Sequence, residues 1–308
     1  MIAIDGTEYF FFQQIHYQNC SHRERSNGKT ECFHSVLTPV IVHYEQSHVI
    51  ALEPEFICPQ DGHEKQDCEI NAAKRWLKKH AETIRRHDGV LLGNDLYSRA
   101  PFCRETMEQG CHFVLVCKPD RHSYLYESVS FMRANGLVET RTERKWNGIV
   151  GEICQLALSG QADSPKVNWV QIEVRREDTN ALLDNNAFIT DLELTVENIE
   201  EIVRVGRARW KVENENNNVL KNHGYHLEHN FGHGSQHLSS ILLSLNLLAF
   251  LFHTLADLLD ERYRKIRETI GKRTKIFMHI EVLMNYHVFE SWDELFAFML
   301  EGLQPYKP

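Results

Sequence analysis

Gly89-Val90-Leu91-Leu92-Gly93-Asn94-Asp95 is an apolar run closed by an amide and a carboxylate, and its reading decides the fold. The run predicts a short buried strand. Helical periodicity lies on both sides of it. Over 68–87, Ile70, Ala73, Trp76, Leu77, Ala81 and Ile84 recur at three- and four-residue steps, and the other face carries Lys74, Arg75, Lys78, Lys79, Arg85 and Arg86. Residues 99–108 form the next expected helix, stopped by Gly110, and 112–117 the next strand.

Upstream, residues 1–12 are strand-like and open with Ile2-Ala3-Ile4-Asp5-Gly6-Thr7, which puts Asp5 inside a strand. A polar, turn-rich stretch follows over 19–29. Strands at 36–44 and 48–52 then complete an expected three-stranded antiparallel meander. Acids thus fall on the first and fourth strands of a β-β-β-α-β-α-β order, the order of an RNase H-like core. The expected fold is α/β: an RNase H-like core over 1–120, a β-rich insertion over 121–195 with strands near 149–158, 167–174 and 187–190, the core resumed over 196–260, and a helical C-terminal tail over 261–308.

Composition sets the outer bounds. The chain has 308 residues, 42% hydrophobic and 25% charged, which suits a globular protein with a buried core rather than a disordered one. A formal charge of −9 argues against a chain coated in nucleic acid, although a local basic stripe can still bind it. Eight cysteines without a CxxC pair read as reduced thiols, and with no secretory leader in view a cytoplasmic location is expected. Over 241–259 the apolar run is broken by Ser244, Asn246, His253 and Asp257, so it reads as a buried helix and no membrane partner is expected.

A single Asp at a strand end is ordinarily a turn residue or a helix cap. A third acid changes the reading. Glu213 lies on the basic segment Arg207-Ala208-Arg209-Trp210-Lys211-Val212-Glu213, which predicts a helix. Carboxylates are hard ligands that suit Mg²⁺ or Mn²⁺, and two such ions serve phosphodiester chemistry. Asp5, Asp95 and Glu213 are therefore the candidate catalytic and metal-binding residues.

Three segments carry a family likeness: Ile4-Asp5-Gly6-Thr7, Leu92-Gly93-Asn94-Asp95 and Arg209-Trp210-Lys211-Val212-Glu213, the last preceded by Phe188-Ile189-Thr190-Asp191-Leu192. Together they resemble IS4-like DDE transposases, a group of insertion-sequence transposases whose third acid sits in a Tyr-x2-Arg-x3-Glu-x6-Lys motif. Pro59-Gln60-Asp61-Gly62 with Lys65-Gln66-Asp67-Cys68-Glu69, and the run from Leu227 to Gly234, add to the likeness. The resemblance implies two Mg²⁺ (or Mn²⁺) ions on the three acids. It also implies hydrolytic cleavage of double-stranded DNA at transposon ends and in-line attack of the freed 3′-hydroxyl on target DNA, by a homodimer acting on two ends. Arg207, Arg209, Lys211 and Lys221 are the expected DNA contacts.

The chain departs from the motif at two places. Gly206 stands at the Tyr position, and the Lys comes one residue late, at Lys221 rather than Leu220. The family also carries a helical end-recognition region before the first acid, whereas four residues precede Asp5, so a shortened chain is expected. The rival expectation is a non-catalytic remnant that binds DNA or pairs with full-length subunits.

Two further clusters hold metal-ligand types. His229, His233 and His237 are spaced by four beside His223 and His226, but Gly232 and Gly234 interrupt any helix, so a polar loop is the expected reading. Cys20, His22, Cys32 and His34 have gaps shorter than zinc sites use, and read as hairpin residues. Trp146 and Trp169 are expected as packed sheet aromatics, and the basic run over 262–275 as a solvated helix face.

Overall fold

The computed structural model describes residues 1–12, 20–58, 67–143, 148–176, 178–229 and 237–303. The fold is mixed α/β. In chain order come β1 (Ile2–Ala3), β2 (Gly6–Phe12), β3 (Ser21–Glu24), β4 (Thr30–Leu37), β5 (Val40–Ile41), β6 (Ile50–Ala51), β7 (Glu55–Ile57), α1 (Glu69–Arg86), β8 (Val90–Gly93), α2 (Ala100–Glu108) and β9 (His112–Val116). Next are α3 (Ser123–Ala134), β10 (Glu139–Glu143), β11 (Gly148–Ala157), β12 (Lys166–Arg175) and β13 (Leu182–Thr190). The helices α4 (Ile199–Arg207), α5 (Asn218–Asn222), α6 (Leu238–Leu259), α7 (Glu261–Ile270), α8 (Arg273–Tyr286) and α9 (Trp292–Leu303) finish the chain, with a π-helical turn, Val212–Asn217, between α4 and α5.

Nine strands form the main sheet in the order β6-β5-β1-β8-β9-β13-β12-β11-β10. β1, β8 and β9 are parallel, with Ala3 beside Leu92 and Leu92 beside Val114. The other neighbours are antiparallel. Helices cover both faces, which is why β8 is apolar on both sides. Leu91 packs with Trp76, Leu77 and Phe102 of α1 and α2, whereas Leu92 packs with Val203, Leu220 and Phe250 from α4, α5 and α6. The α1 positions expected to be buried, Ala73, Trp76, Leu77, Ala81 and Ile84, are buried. α7, α8 and α9 enclose a separate small core around Tyr263, Ile266 and Phe296.

The expected meander takes a different form. β1 with β5, and β2 with β4, are two stretches of one antiparallel ribbon: Ala3 faces Val40 and Gly6 faces Leu37, with no slip between them. At the break the ribbon leaves the main sheet and enters a second one, built from β2, β4, β3 and β7. Pro39 sits opposite Ile4 at a point where both backbones face away from the ribbon: Ile4 N–H donates to Leu92 O of β8 at 2.9 Å, and Pro39 O accepts from Leu52 N–H at 2.9 Å. Asp5 lies in this break rather than inside a strand, and its carbonyl accepts from Thr38 N–H at 3.0 Å.

Two other expectations are corrected. The segment from 121 opens with α3, whose Leu125 and Val129 are buried, and β10 to β13 extend the main sheet through the β13–β9 pairing. α6 is not a wholly buried helix: Leu243, Leu247, Phe250 and Thr254 face inward, and its opposite side is exposed. Among the described residues it is the one helix long and apolar enough to cross a membrane. Trp169 is fully buried against Tyr126 as expected, and Trp146 lies outside the described residues.

Gly206 has a packing reason. A Cβ there would come within 2.7 Å of the Phe188 ring, so α4 can lie on β13 only without a side chain at this point. Gly206→Ala should therefore lower the unfolding free energy by about 1–3 kcal/mol. In a Phe188→Leu background the same change should cost less. Urea denaturation of the four proteins measures this, and an equal cost in both backgrounds would remove the ring as the cause.

Candidate functional site

Asp5 and Asp95 stand at the same edge of the main sheet. β1 and β8 are parallel, so both acids follow the carboxyl ends of adjacent strands, where α/β sheets commonly build their sites. Asn94 bridges the two positions. Its Nδ2 donates to Asp5 Oδ1 at 3.1 Å, and its Oδ1 accepts from Leu96 N–H at 2.8 Å.

The third acid arrives from the helical layer. Glu213 lies in the π-helical turn, a geometry often found at functional sites, and its exposed carboxylate meets Arg209 Nη2 at 3.5 Å. The turn is tied to the sheet from within. Thr38 Oγ1 donates to Asn217 Oδ1 at 2.8 Å, and Asn216 Nδ2 donates to the same oxygen at 3.0 Å, all three residues being buried.

A fourth acid joins this group without having been expected. Glu69, in the first turn of α1, accepts from Gly6 N–H at 3.0 Å and from the Tyr97 hydroxyl at 2.5 Å through one oxygen. It packs so closely that a Cβ on Gly6 would meet its carboxylate at 2.4 Å, which explains that glycine. An acid just after Cys68, at the start of an amphipathic helix, was the available signal.

Burial pushes the Asp5 carboxyl up to about 7, the negative charges of Glu69 and Glu213 push the same way, and Arg209 opposes them. Asp95 instead has a counter-ion, Arg121 Nε, at 3.2 Å. Among the described residues no three Asp, Glu, His or Cys side chains stand close enough together to hold a metal ion. The structure thus brings Asp5, Glu69 and Glu213 into electrostatic contact, while Asp95 and Glu213 are each engaged by an arginine.

Beside the acids a cleft of about 290 Å³ is lined by Asn94, Asp95, Lys118, Arg207, Arg209 and Trp210, among others. Arg207 pairs with Asp184 at 3.3 Å across it. Lys221 points elsewhere, to Glu228 at 2.8 Å. Lys211 is a correction. Its ammonium is buried and donates to the carbonyls of His43 at 2.7 Å, Tyr44 at 3.4 Å and Gln46, so it clamps the 43–46 loop and is not open to a phosphate. Burial lowers its pKa.

The remaining candidates resolve into structural roles. Among the histidines, His223 follows α5, His226 is in the left-handed region with φ 53°, and His237 caps α6, while His233 lies outside the described residues. They share no continuous helix. Cys20 Sγ and His34 Nε2 are 3.2 Å apart, and the Tyr9 hydroxyl is 3.3 Å from His34 Nδ1, a buried cluster inside the second sheet. None of the eight cysteines, all of them among the described residues, is in a disulfide. In the basic run over 262–275, Arg262 pairs with Asp260 and Asp293, and Lys265 with Glu261.

Comparison with protein-family models and with the curated proteins finds no match to this chain.

The raised Asp5 pKa has a definite sign. Between the unfolded value of 3.8 and about 7 the folded chain holds a proton that the unfolded chain has lost, so stability falls as pH rises through that window. Without divalent cations, Asp5→Asn should melt close to wild type at pH 4 and a few degrees higher at pH 8. Calorimetry across pH checks this, and a pH-independent difference between the two proteins would contradict it.

Proposed function

We propose that this chain is a DDE-type transposase core that cuts double-stranded DNA and joins the freed end to a target. The observation carrying this reading is that Asp5 and Asp95 follow the ends of the adjacent parallel strands β1 and β8, with Asn94 bonded to Asp5, while Glu213 of the helical layer acts electrostatically on Asp5. The order β6-β5-β1-β8-β9, with β1, β8 and β9 parallel and β5 and β6 antiparallel, supports an RNase H-like core beneath them.

The donor set suits a hard divalent cation. It is made of carboxylate oxygens and an amide, and one carboxylate is destabilised by burial and then by its acidic neighbours, which a cation would offset. To hold Mg²⁺ or Mn²⁺, Asp5, Asp95 and Glu213 would have to draw closer together than they stand here, Asp95 and Glu213 leaving their arginines; the ion would then supply Lewis acidity for phosphodiester cleavage. Arg121 and Arg209 now stand as the counter-ions of two of these acids. Along the cleft, Lys118, Arg207 and Arg209 offer the positive charge that DNA phosphates need, and Asn94 orients Asp5. Gly206 leaves no phenol at the motif's Tyr position, so no role is assigned to one.

Incubation with Mg²⁺ or Mn²⁺ and DNA carrying the sequences that flank its own gene tests the reading. Wild type should cleave at the ends, and Asp95→Asn should lose about 10²-fold or more. Equal cleavage by both would sink the assignment. The ion pairs of Asp95 and Glu213 favour one rival, a non-catalytic remnant that binds DNA or pairs with full-length subunits. That rival predicts DNA binding by wild type with no cleavage under either metal.

A further inference from the structure

Past the bond from Ile4 N–H to Leu92 O, β1 and β8 separate: the chain after β1 runs into the second sheet, and β8 ends at Gly93. Asp5 and Asp95 both lie beyond that point, so the ladder of the sheet does not fix one against the other. Among the described residues two side chains bridge the gap by hydrogen bonds. Asn94 donates to the Asp5 carboxylate itself, at 3.1 Å. Glu69 holds the flanking residues instead. Its Oε1 accepts from Gly6 N–H, next to Asp5, at 3.0 Å and from the Tyr97 hydroxyl, two residues past Asp95, at 2.5 Å.

We infer that Glu69 is a positioning residue of the acidic site: one carboxylate oxygen holds the Gly6 and Tyr97 segments at the spacing that lets Asp5 and Asp95 share a divalent cation. This inference rests on the cation-binding half of the proposed function.

Each party to the bridge is itself fixed. Glu69 sits in the first turn of α1, which Trp76 and Leu77 anchor to the sheet. Gly6 admits the carboxylate because it has no side chain. Tyr97 is fully buried, its N–H donates to Asn94 O at 3.2 Å, and a Cβ on Gly93 would meet its ring at 2.8 Å. A charged acceptor strengthens both bonds, and the bond from the phenol has the short length of an O–H···O⁻ pair.

A cation would treat the two bridges differently. Bound by the Asp5 carboxylate, it would compete with Asn94 for the same oxygens. The Glu69 bonds involve neither acid and would stay in place. Asp5 and Asp95 could then swing their carboxylates towards the ion from backbones that do not move.

Titration of the full chain with Mn²⁺ in the absence of DNA, with free Mn²⁺ read by electron paramagnetic resonance, tests this. Wild type should bind, and Asp5→Asn should bind about tenfold more weakly or worse, which places the ion at this site. Glu69→Ala should also weaken binding about tenfold or more. Glu69→Gln keeps the accepting oxygen and should stay within about threefold of wild type. Tyr97→Phe, which removes one of the two bonds and little volume, should weaken binding at least about threefold. Glu69→Ala binding as wild type does overturns the inference. So does Glu69→Gln as weak as Glu69→Ala, because the charge and not the bonds would then be responsible. Should Glu69→Ala lose the circular dichroism of the fold, Tyr97→Phe decides, and an unchanged Mn²⁺ affinity overturns the inference. Wild type that binds no Mn²⁺, or binding that Asp5→Asn leaves intact, overturns it as well. Bound Mn²⁺ without DNA cleavage sinks the transposase reading and leaves the positioning role standing.

Discussion

The bonds from Thr38 to Asp5 and Asn217 hold the architecture together. Thr38 N–H donates to the Asp5 carbonyl at 3.0 Å, and its hydroxyl, with one proton to give, donates to Asn217 Oδ1 at 2.8 Å. One residue thus joins the break in the ribbon, the junction of two sheets and the π-helical turn that carries Glu213. Buried polar networks of this kind are stabilising only when their members are matched, and they specify one arrangement over its alternatives. Asp5 owes its position to backbone pairing, and its carboxylate is turned to Asn94 at 3.1 Å. Its high pKa follows from the same junction, since a carboxylate held there is poor in water and close to other acids.

Much of the fold was legible because the parallel strands are covered on both faces. An apolar run as short as Val90-Leu91-Leu92, bounded by glycines, fits little besides a strand buried on both sides, and the three- and four-residue steps of α1 specify their own buried face. The ribbon break is hidden, because residues 1–12 alternate like one strand and the strand that draws β1 into the main sheet, β8, lies far away in sequence. α3 was missed for a different cause. Its weak amphipathicity, with Leu125 and Val129 alone buried, leaves little periodic signal.

At the site, residue types were readable but pairings were not. The run from Arg207 to Glu213 announced a charged helix, yet nothing local distinguishes Lys211, turned inward to the 43–46 carbonyls, from Arg209, turned towards the acids. That difference is set by helical angle and by a loop some 165 residues earlier. Glu69 was passed over for a related reason. Its meaning comes from Gly6 and Tyr97, which only the folded chain brings to it.

The π-helical turn has a consequence for counting. A turn closed by i→i+5 bonds wraps one more residue than an α-helical turn, so beyond it the chain runs one position ahead of its angular phase. Residues after Val212–Asn217 are therefore turned relative to an uninterrupted α-helix, and Lys221 among them meets Glu228 at 2.8 Å. Spacing counted along the sequence and spacing counted around the helix therefore differ by one residue across this turn.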